Sequence, residues 1–344
     1  MDAMQFFPIM IVGFTMSLGL TPLSRQIAMR LGVVDRPTSA RKSNAEYKPL
    51  MGGLAMYAAF SIALLLFSTP QYIRELGAIV AGATILAAVG LYDDRFDLGI
   101  LPKLFTMVAV AFGLTLVGIQ VRLFGIAWLD VPLTILWMVT IMNAVNFLDN
   151  MDGLAAGLTT IAAFFFMIIA YLQGQTLVSS LAAAIFGSAL GFLVYNFNPA
   201  STFMGDMGAL VLGMILAVLG VKLTFAEQPL SVTWMIPILV LALPLFDITL
   251  VTITRLSEGR SPGQAGKDHT SHRIRILGLS TRGTVFTLYG FCVLCGSIAL
   301  TISLVPAGLG LWVGIVGFIL LAGLFGIMFW IRWRYQLNYG KVKP

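Results

Sequence analysis

At 344 residues the chain is long enough for two soluble domains of about 150 residues each, but it is 58% hydrophobic and only 10% charged, with a mean hydropathy of +0.93. An ordinary soluble domain is about 45–50% apolar and about 25% charged, so this composition excludes one and points to a polytopic membrane protein. The formal charge of +6 sits in short loops, where it sets topology, and no nucleic-acid partner is expected.

Eleven apolar runs lie at about 5–24, 50–68, 76–92, 102–120, 131–148, 154–172, 177–195, 207–224, 233–253, 283–304 and 308–331. Each is near the roughly 20 residues a span requires. They predict an all-α fold of about 11 transmembrane helices, and one transmembrane domain over residues 1–344. The first run follows Asp2 and no basic segment, so it reads as a span rather than a cleaved signal peptide. Cys292 and Cys295 are the only cysteines, inside an apolar run, and read as small apolar residues rather than a redox or metal pair. With the N-terminus outside, all but Arg74, Arg122 and Lys222 of the 21 basic residues fall on one side. The positive-inside rule makes that side cytoplasmic and puts the C-terminus there.

The polar residues of the inner side concentrate in a few stretches. Lys48 opens the second run beside the small pair Gly52 and Gly53, where it either meets an anionic headgroup or snorkels to the surface. Asp93, Asp94 and Asp97 close the third run as Tyr-Asp-Asp-Arg-Phe-Asp. Carboxylates at such spacings share a helix end and repel one another unless a cation or a proton joins them. Asn143, Asn146, Asp149, Asn150 and Asp152 lie within ten residues at the fifth run's exit. Helix capping accounts for one or two of these five, not for all. Asp206 follows Gly205 at the start of the eighth run, where a helix N-terminus favours an anion, although capping alone is an equal rival.

Asp247 lies within the ninth run and needs a partner there, as a site residue or as a helix–helix contact. The loop from Arg255 to Arg282 holds both histidines, His269 and His272, among several cations and irregular Gly and Pro positions. Such a loop suits a phosphate or pyrophosphate, or simply marks the inner side. Together, carboxylates and basic residues at one membrane face are the materials of metal-assisted phosphoryl transfer. A transporter or flippase would place its ionisable residues nearer the midplane on broken helices, often in two related halves. A non-catalytic scaffold has no need of clustered carboxylates.

The set YDDRFD, NAVNFLDNMDGLAAG, FMGDMG and the histidine loop, in order from about Lys48 to Arg282, resembles the polyprenyl-phosphate N-acetylhexosamine-1-phosphate transferases. The resemblance implies transfer of a sugar-1-phosphate, N-acetylglucosamine-1-phosphate foremost, from a UDP-sugar to undecaprenyl phosphate, with release of UMP. It implies magnesium, with manganese as a substitute, and a bacterial inner membrane with the site on cytoplasmic loops after spans 3, 5, 7 and 9. The product would enter a cell-envelope polysaccharide. The alternative within the family is the phospho-MurNAc-pentapeptide transferase of peptidoglycan synthesis.

By position, the resemblance assigns Asp93, Asp94, Asp97, Asp149 and Asp152 to catalysis, with Asp93 or Asp94 deprotonating or orienting the lipid phosphate. It assigns Asp206 and Asn146 to the metal, and Lys48, Asn143, Asn150, Arg255, His269 and His272 to substrate binding. Membrane lipids are expected neighbours, and a homodimer is compatible with the family. Two departures stand out. The family's His-x-His-His group reads His269-Thr270-Ser271-His272 here, and its Asp-Gly becomes Asp149-Asn150. Both bear on the sugar rather than on the reaction.

Overall fold

A computed structural model describes residues 6–35, 47–67, 70–226, 228–263 and 266–335. The basic residues Arg36, Arg41, Lys42, Lys341 and Lys343, used above to orient the chain, lie outside the described residues, as do Asp2 and Glu227. All eleven apolar runs are helical, and the chain divides into two compact units, 1–224 and 225–344.

The first unit holds α1 (Phe7–Leu31), α2 (Gly52–Leu66), α3 (Ile73–Phe96), α4 (Ile100–Leu116), α5 (Ala127–Leu148), α6 (Leu154–Leu172), α7 (Thr176–Asn196) and α8 (Gly205–Lys222). Among the described residues the only strands are β1 (Val34–Asp35) and β2 (Lys48–Pro49), paired antiparallel with Val34 opposite Pro49. The helix α8 is the axle of this unit. Every residue from Met207 to Leu219 is buried, and α2, α3, α5, α6 and α7 all pack on it. A helix apolar all round belongs in an interior, whereas α4 leaves Leu101, Phe105 and Leu116 exposed, as a lipid-facing helix does. The paired glycines at the start of α2 serve close packing: a Cβ on Gly53 would run into the backbone of Gly208 on α8, the small-residue contact that lets membrane helices approach.

The second unit holds α9 (Leu230–Thr233), α10 (Met235–Val240), α11 (Ala242–Ser257), α12 (Thr270–Ile276), α13 (Thr281–Leu304) and α14 (Ala307–Arg334). Phe246 of α11 packs edge-on against Phe325 of α14 and Phe291 of α13, with ring centroids 5.4 and 6.1 Å apart. Cys292 and Cys295 are free thiols buried in α13.

Two expectations change. The run at 233–253 is not one helix: Leu230–Val240 and Ala242–Ser257 meet at 78°. Pro244 has no N–H to return to the Val240 carbonyl one turn earlier, so the helix breaks there. The stretch from Arg255 to Arg282 is not all loop, since α12 forms within it. Among the described residues, eight helices are long and apolar enough to cross a membrane, or nine with the bent pair taken as one span. The helices α2 and α4 have 15 and 17 residues, about 22 and 25 Å at 1.5 Å per residue, short of a bilayer core of about 30 Å.

Candidate active site

The acidic stretches of the first unit converge where α3 ends and α8 begins. Gly90 makes this possible. A Cβ there would strike the backbone of Asp206 and Met207, so only glycine lets the last turns of α3 lie against the first turn of α8. Asp94 then reaches the N-terminus of α8, its Oδ1 accepting from the Asp206 N–H at 2.9 Å and its Oδ2 from the Met207 N–H at 3.4 Å. These are the orphan donors of a helix start, where a carboxylate is favoured. Gly205, at φ 68°, makes the turn into α8, and a Cβ on it would collide with the Asp94 carboxylate.

Asp93 and Asp206 face one cation. Lys103, on α4, bonds Asp93 Oδ2 at 2.6 Å and also bonds Asp206 Oδ2. Asp93 Oδ1 accepts from the Leu98 N–H at 2.8 Å, and Asn146 Nδ2 donates to Asp206 Oδ1 at 2.6 Å. The side chains of Lys103, Asp93 and Asp206 stay 20%, 11% and 23% exposed, so a solute reaches them. Asp149, capping α5, lies in the same field. Burial pushes its carboxyl well above the usual range, and Asp206, Asp94 and Asp152 push it the same way, although part of its surface stays accessible. Two carboxylates on a single ammonium, with Asp94 bound at the Asp206 N–H beside them, leave an excess of negative charge that another cation or a proton can offset.

The remaining candidates of this unit have other partners. Asp152 Oδ2 accepts from Asn198 Nδ2 and from the Ala200 N–H, both at 2.9 Å, and so anchors the loop before α8. Asn143 donates to the Val139 carbonyl at 2.8 Å within its own helix, and lies 3.6 Å from the Met107 sulfur. Asn150 Nδ2 donates to the Phe147 carbonyl at 2.6 Å. Asp97 is exposed and ends α3 in a left-handed conformation, φ 51°. Lys48 lies over the Phe203 ring, 4.9 Å from its centroid.

Two residues escaped the sequence reading. Lys103 bears only on topology when read from the sequence, yet a lysine ten residues after Asp93 in an apolar helix is a signal. Asn196, buried at the end of α7, receives the Gly153 N–H and donates to the Thr202 carbonyl, 3.1 and 3.0 Å. It ties the two loops that flank the acidic residues.

In the second unit the basic loop is built around Asp268. Arg255 clamps it with two hydrogen bonds, Nε to Oδ2 at 2.9 Å and Nη2 to Oδ1 at 2.7 Å, and Arg260 adds a third at 2.9 Å. Burial would raise this carboxyl, but the hydrogen bonds and charge of Arg255, with those of Arg260, hold it at about 2. Arg255 is only 2% exposed and also donates to the Pro262 carbonyl at 2.5 Å, so its guanidinium shapes the loop. Arg273, fully buried, bonds the Asp268 and Met328 carbonyls and the Thr254 hydroxyl. Asp247 has the partner its depth demanded. Its Oδ2 lies 2.8 Å from His269 Nδ1, and its Oδ1 accepts from the Thr270 N–H at 2.7 Å. Burial lowers the pKa of His272, as do His269 and Lys267 beside it, against an opposing pull from Asp247.

The donors in the first unit suit a hard divalent cation. They are oxygens of one or two carboxylates, and magnesium commonly binds through as few, completed by water and phosphate. Lys103 shows that a cation is welcome between Asp93 and Asp206. Among the described residues no three His, Cys, Asp or Glu side chains form a closed cage, so the fit is to an open site.

An all-helical membrane protein with clustered carboxylates at one helix junction is the class these features define: an integral membrane transferase. Residues 76–224 match the model of glycosyl transferase family 4, the stretch that carries the acidic junction. The chain is 35% identical to a probable undecaprenyl-phosphate N-acetylglucosaminyl 1-phosphate transferase of Bacillus subtilis over 81% of its length and 80% of that protein's. It is 30% identical to a decaprenyl-phosphate N-acetylglucosaminephosphotransferase of Mycolicibacterium smegmatis, over 86% and 76%. It is 27% identical to an undecaprenyl-phosphate alpha-N-acetylglucosaminyl 1-phosphate transferase of Escherichia coli, over 93% and 90%. The chain belongs to glycosyl transferase family 4, the polyprenyl-phosphate N-acetylhexosamine-1-phosphate transferase superfamily.

Proposed function

We propose that this protein transfers a sugar-1-phosphate, N-acetylglucosamine-1-phosphate foremost, from a UDP-sugar to undecaprenyl phosphate in a bacterial plasma membrane. The product would begin a cell-envelope polysaccharide. The observation that carries the proposal is the pairing of Asp93 and Asp206 with Lys103 at a partly open helix junction, where Asp94 holds the start of the helix that bears Asp206, in a chain whose relatives bear the names given above. An oxygen of the lipid phosphate attacks the sugar-bound phosphorus of the donor. A P–O bond forms, the P–O bond to UMP breaks, and UMP leaves with the electron pair. Any proton on the attacking phosphate passes to Asp93, whose side chain stays 11% exposed.

Asp94 has a different part, holding the start of α8 so that Asp206 and Asn146 stay in register. Lys103 counters the charge that builds up when phosphates approach carboxylates. A divalent cation, magnesium foremost, would be held by Asp206 with Asn146 and neighbouring oxygens, and when bound supplies Lewis-acid neutralisation of the phosphoryl oxygens. Asp149 and Asp152 border this junction, the second by fixing the loop before α8. We assign His269 and His272 to the donor's diphosphate and sugar, and Arg255 to holding their loop. With the shorter helices α2 and α4 counted among eleven spans, the positive-inside rule puts the N-terminus outside and the junction at the cytoplasmic face.

The test is turnover by purified protein in detergent with undecaprenyl phosphate, magnesium and a panel of UDP-sugars, read as released UMP. UMP with UDP-N-acetylglucosamine alone, lost on adding EDTA, supports the full reading. Another UDP-hexosamine in its place would keep the reaction and assign the altered histidine group to specificity. No UMP from folded protein with any donor would sink it. Lys103→Met should lower turnover about 100-fold, with Lys103→Arg recovering part.

A further inference from the structure

Asp247 has no part in the reaction as described so far. It is wholly buried on α11, and a carboxylate in that position is costly unless every lone pair has a donor. Here the donors are arranged in sequence. The Thr270 N–H serves Oδ1 at 2.7 Å, and His269, the residue before it, offers Nδ1 to Oδ2 at 2.8 Å. A carboxylate oxygen at that distance accepts, so the nitrogen facing it carries a proton. His269 is also the residue from which α12 starts, with extended backbone (φ −67°, ψ 157°), and its side chain is 8% exposed. Ring plane and backbone are thus fixed by the same carboxylate. A histidine whose Nδ1 proton is fixed by a carboxylate acts through Nε2, the arrangement by which orienting carboxylates set imidazole tautomers in general.

We infer that Asp247 is a positioning residue. It locks the Nδ1–H form and the ring orientation of His269, so that Nε2 is the nitrogen this protein presents to its donor substrate. His272 has no such carboxylate at hydrogen-bond distance among the described residues, where its Nδ1 lies 3.3 Å from the Ser271 hydroxyl. The two histidines therefore have different tasks: His269 is held and directional, and His272 is adjustable. The substrate half of this inference rests on the assignment of His269 to the donor, whereas the tautomer half does not.

The chain has only two histidines, so the whole protein labelled with 15N-histidine gives two imidazole spin systems. Comparison with His272→Gln assigns them. The wild type should show His269 protonated at Nδ1, whether or not Nε2 also carries a proton. In Asp247→Asn the amide can still accept from the Thr270 N–H while its NH2 group faces His269 Nδ1. The imidazole should then invert to Nε2–H, and turnover should fall by about 100-fold or more. A wild-type His269 protonated at Nε2 alone overturns the inference, and this reading needs no variant to fold. Retention of the Nδ1–H form in folded Asp247→Asn also overturns it. Inversion with undiminished turnover removes the functional half. An Nδ1–H signal in wild-type protein that releases no UMP from any donor leaves the dyad standing and removes the proposed reaction instead.

Discussion

The acidic junction of the first unit and the basic loop of the second are both dense charge clusters, and they are built on opposite principles. Around Asp268 the two signs match: Arg255 and Arg260 meet its carboxylate, Glu258 meets Arg260 as well, and little surface remains exposed. Around Lys103 the count is unequal, with Asp93 and Asp206 on one ammonium, Asp94 at the Asp206 N–H beside them, and the group still partly open. A compensated buried cluster holds a loop in shape. An uncompensated, accessible one keeps free energy in reserve for a ligand that brings the missing positive charge or takes up a proton. The contrast separates scaffold from site where residue types alone do not.

Mutations should divide along the same line. The largest effect belongs to the junction. Asp206→Asn and Asp93→Asn should lower UMP release about 1000-fold or more, while thermal unfolding in detergent shifts little. Near-normal turnover in Asp93→Asn would remove its role as base or anchor. Next comes the scaffold. Asp268→Asn leaves Arg255 buried without its carboxylate and should cost about 3–5 kcal/mol of stability, read from denaturant unfolding. If its stability matched the wild type while turnover alone collapsed, the two clusters would not differ as described.

Gly90→Ala tests how sharply the junction is defined. A methyl group there pushes α3 from α8, and a displacement of about 1 Å at a reacting centre costs about 100-fold in rate, which steady-state kinetics would report. The smallest effect is a pH dependence. The Asp268 carboxyl is held at about 2, below its ordinary 3.8, so its contribution of about 2 kcal/mol is present above pH 3.8 and lost as pH falls through 2. Unfolding midpoints measured down that range should drop in the wild type and stay flatter in Asp268→Asn.

Helix positions were legible from hydropathy because it is a local property, and every run of apolar residues became helical, the ninth in more than one piece. So were the acidic residues as a class, since carboxylates at helix ends are visible one at a time. The bend of the ninth run was readable too: Pro244 announces it, and the run's continuous hydropathy hid it. The helix α12 carried no apolar run to betray it. It forms where Asp247 and Asp268 are met by His269, Thr270 and Arg273.

What the sequence determined on its own was a helical membrane protein and the family motifs Asp93-Asp94, Asn146 to Asp152 and Gly205-Asp206. Only the tertiary structure decided which charges meet. Lys103 and Asp206 are 103 residues apart, and Asp247 and His269 are 22 apart, on either side of an irregular loop. Contacts of that kind have no local signature. Each polar group must find a partner once burial removes water, and which partner it finds depends on where packing carries the helix ends.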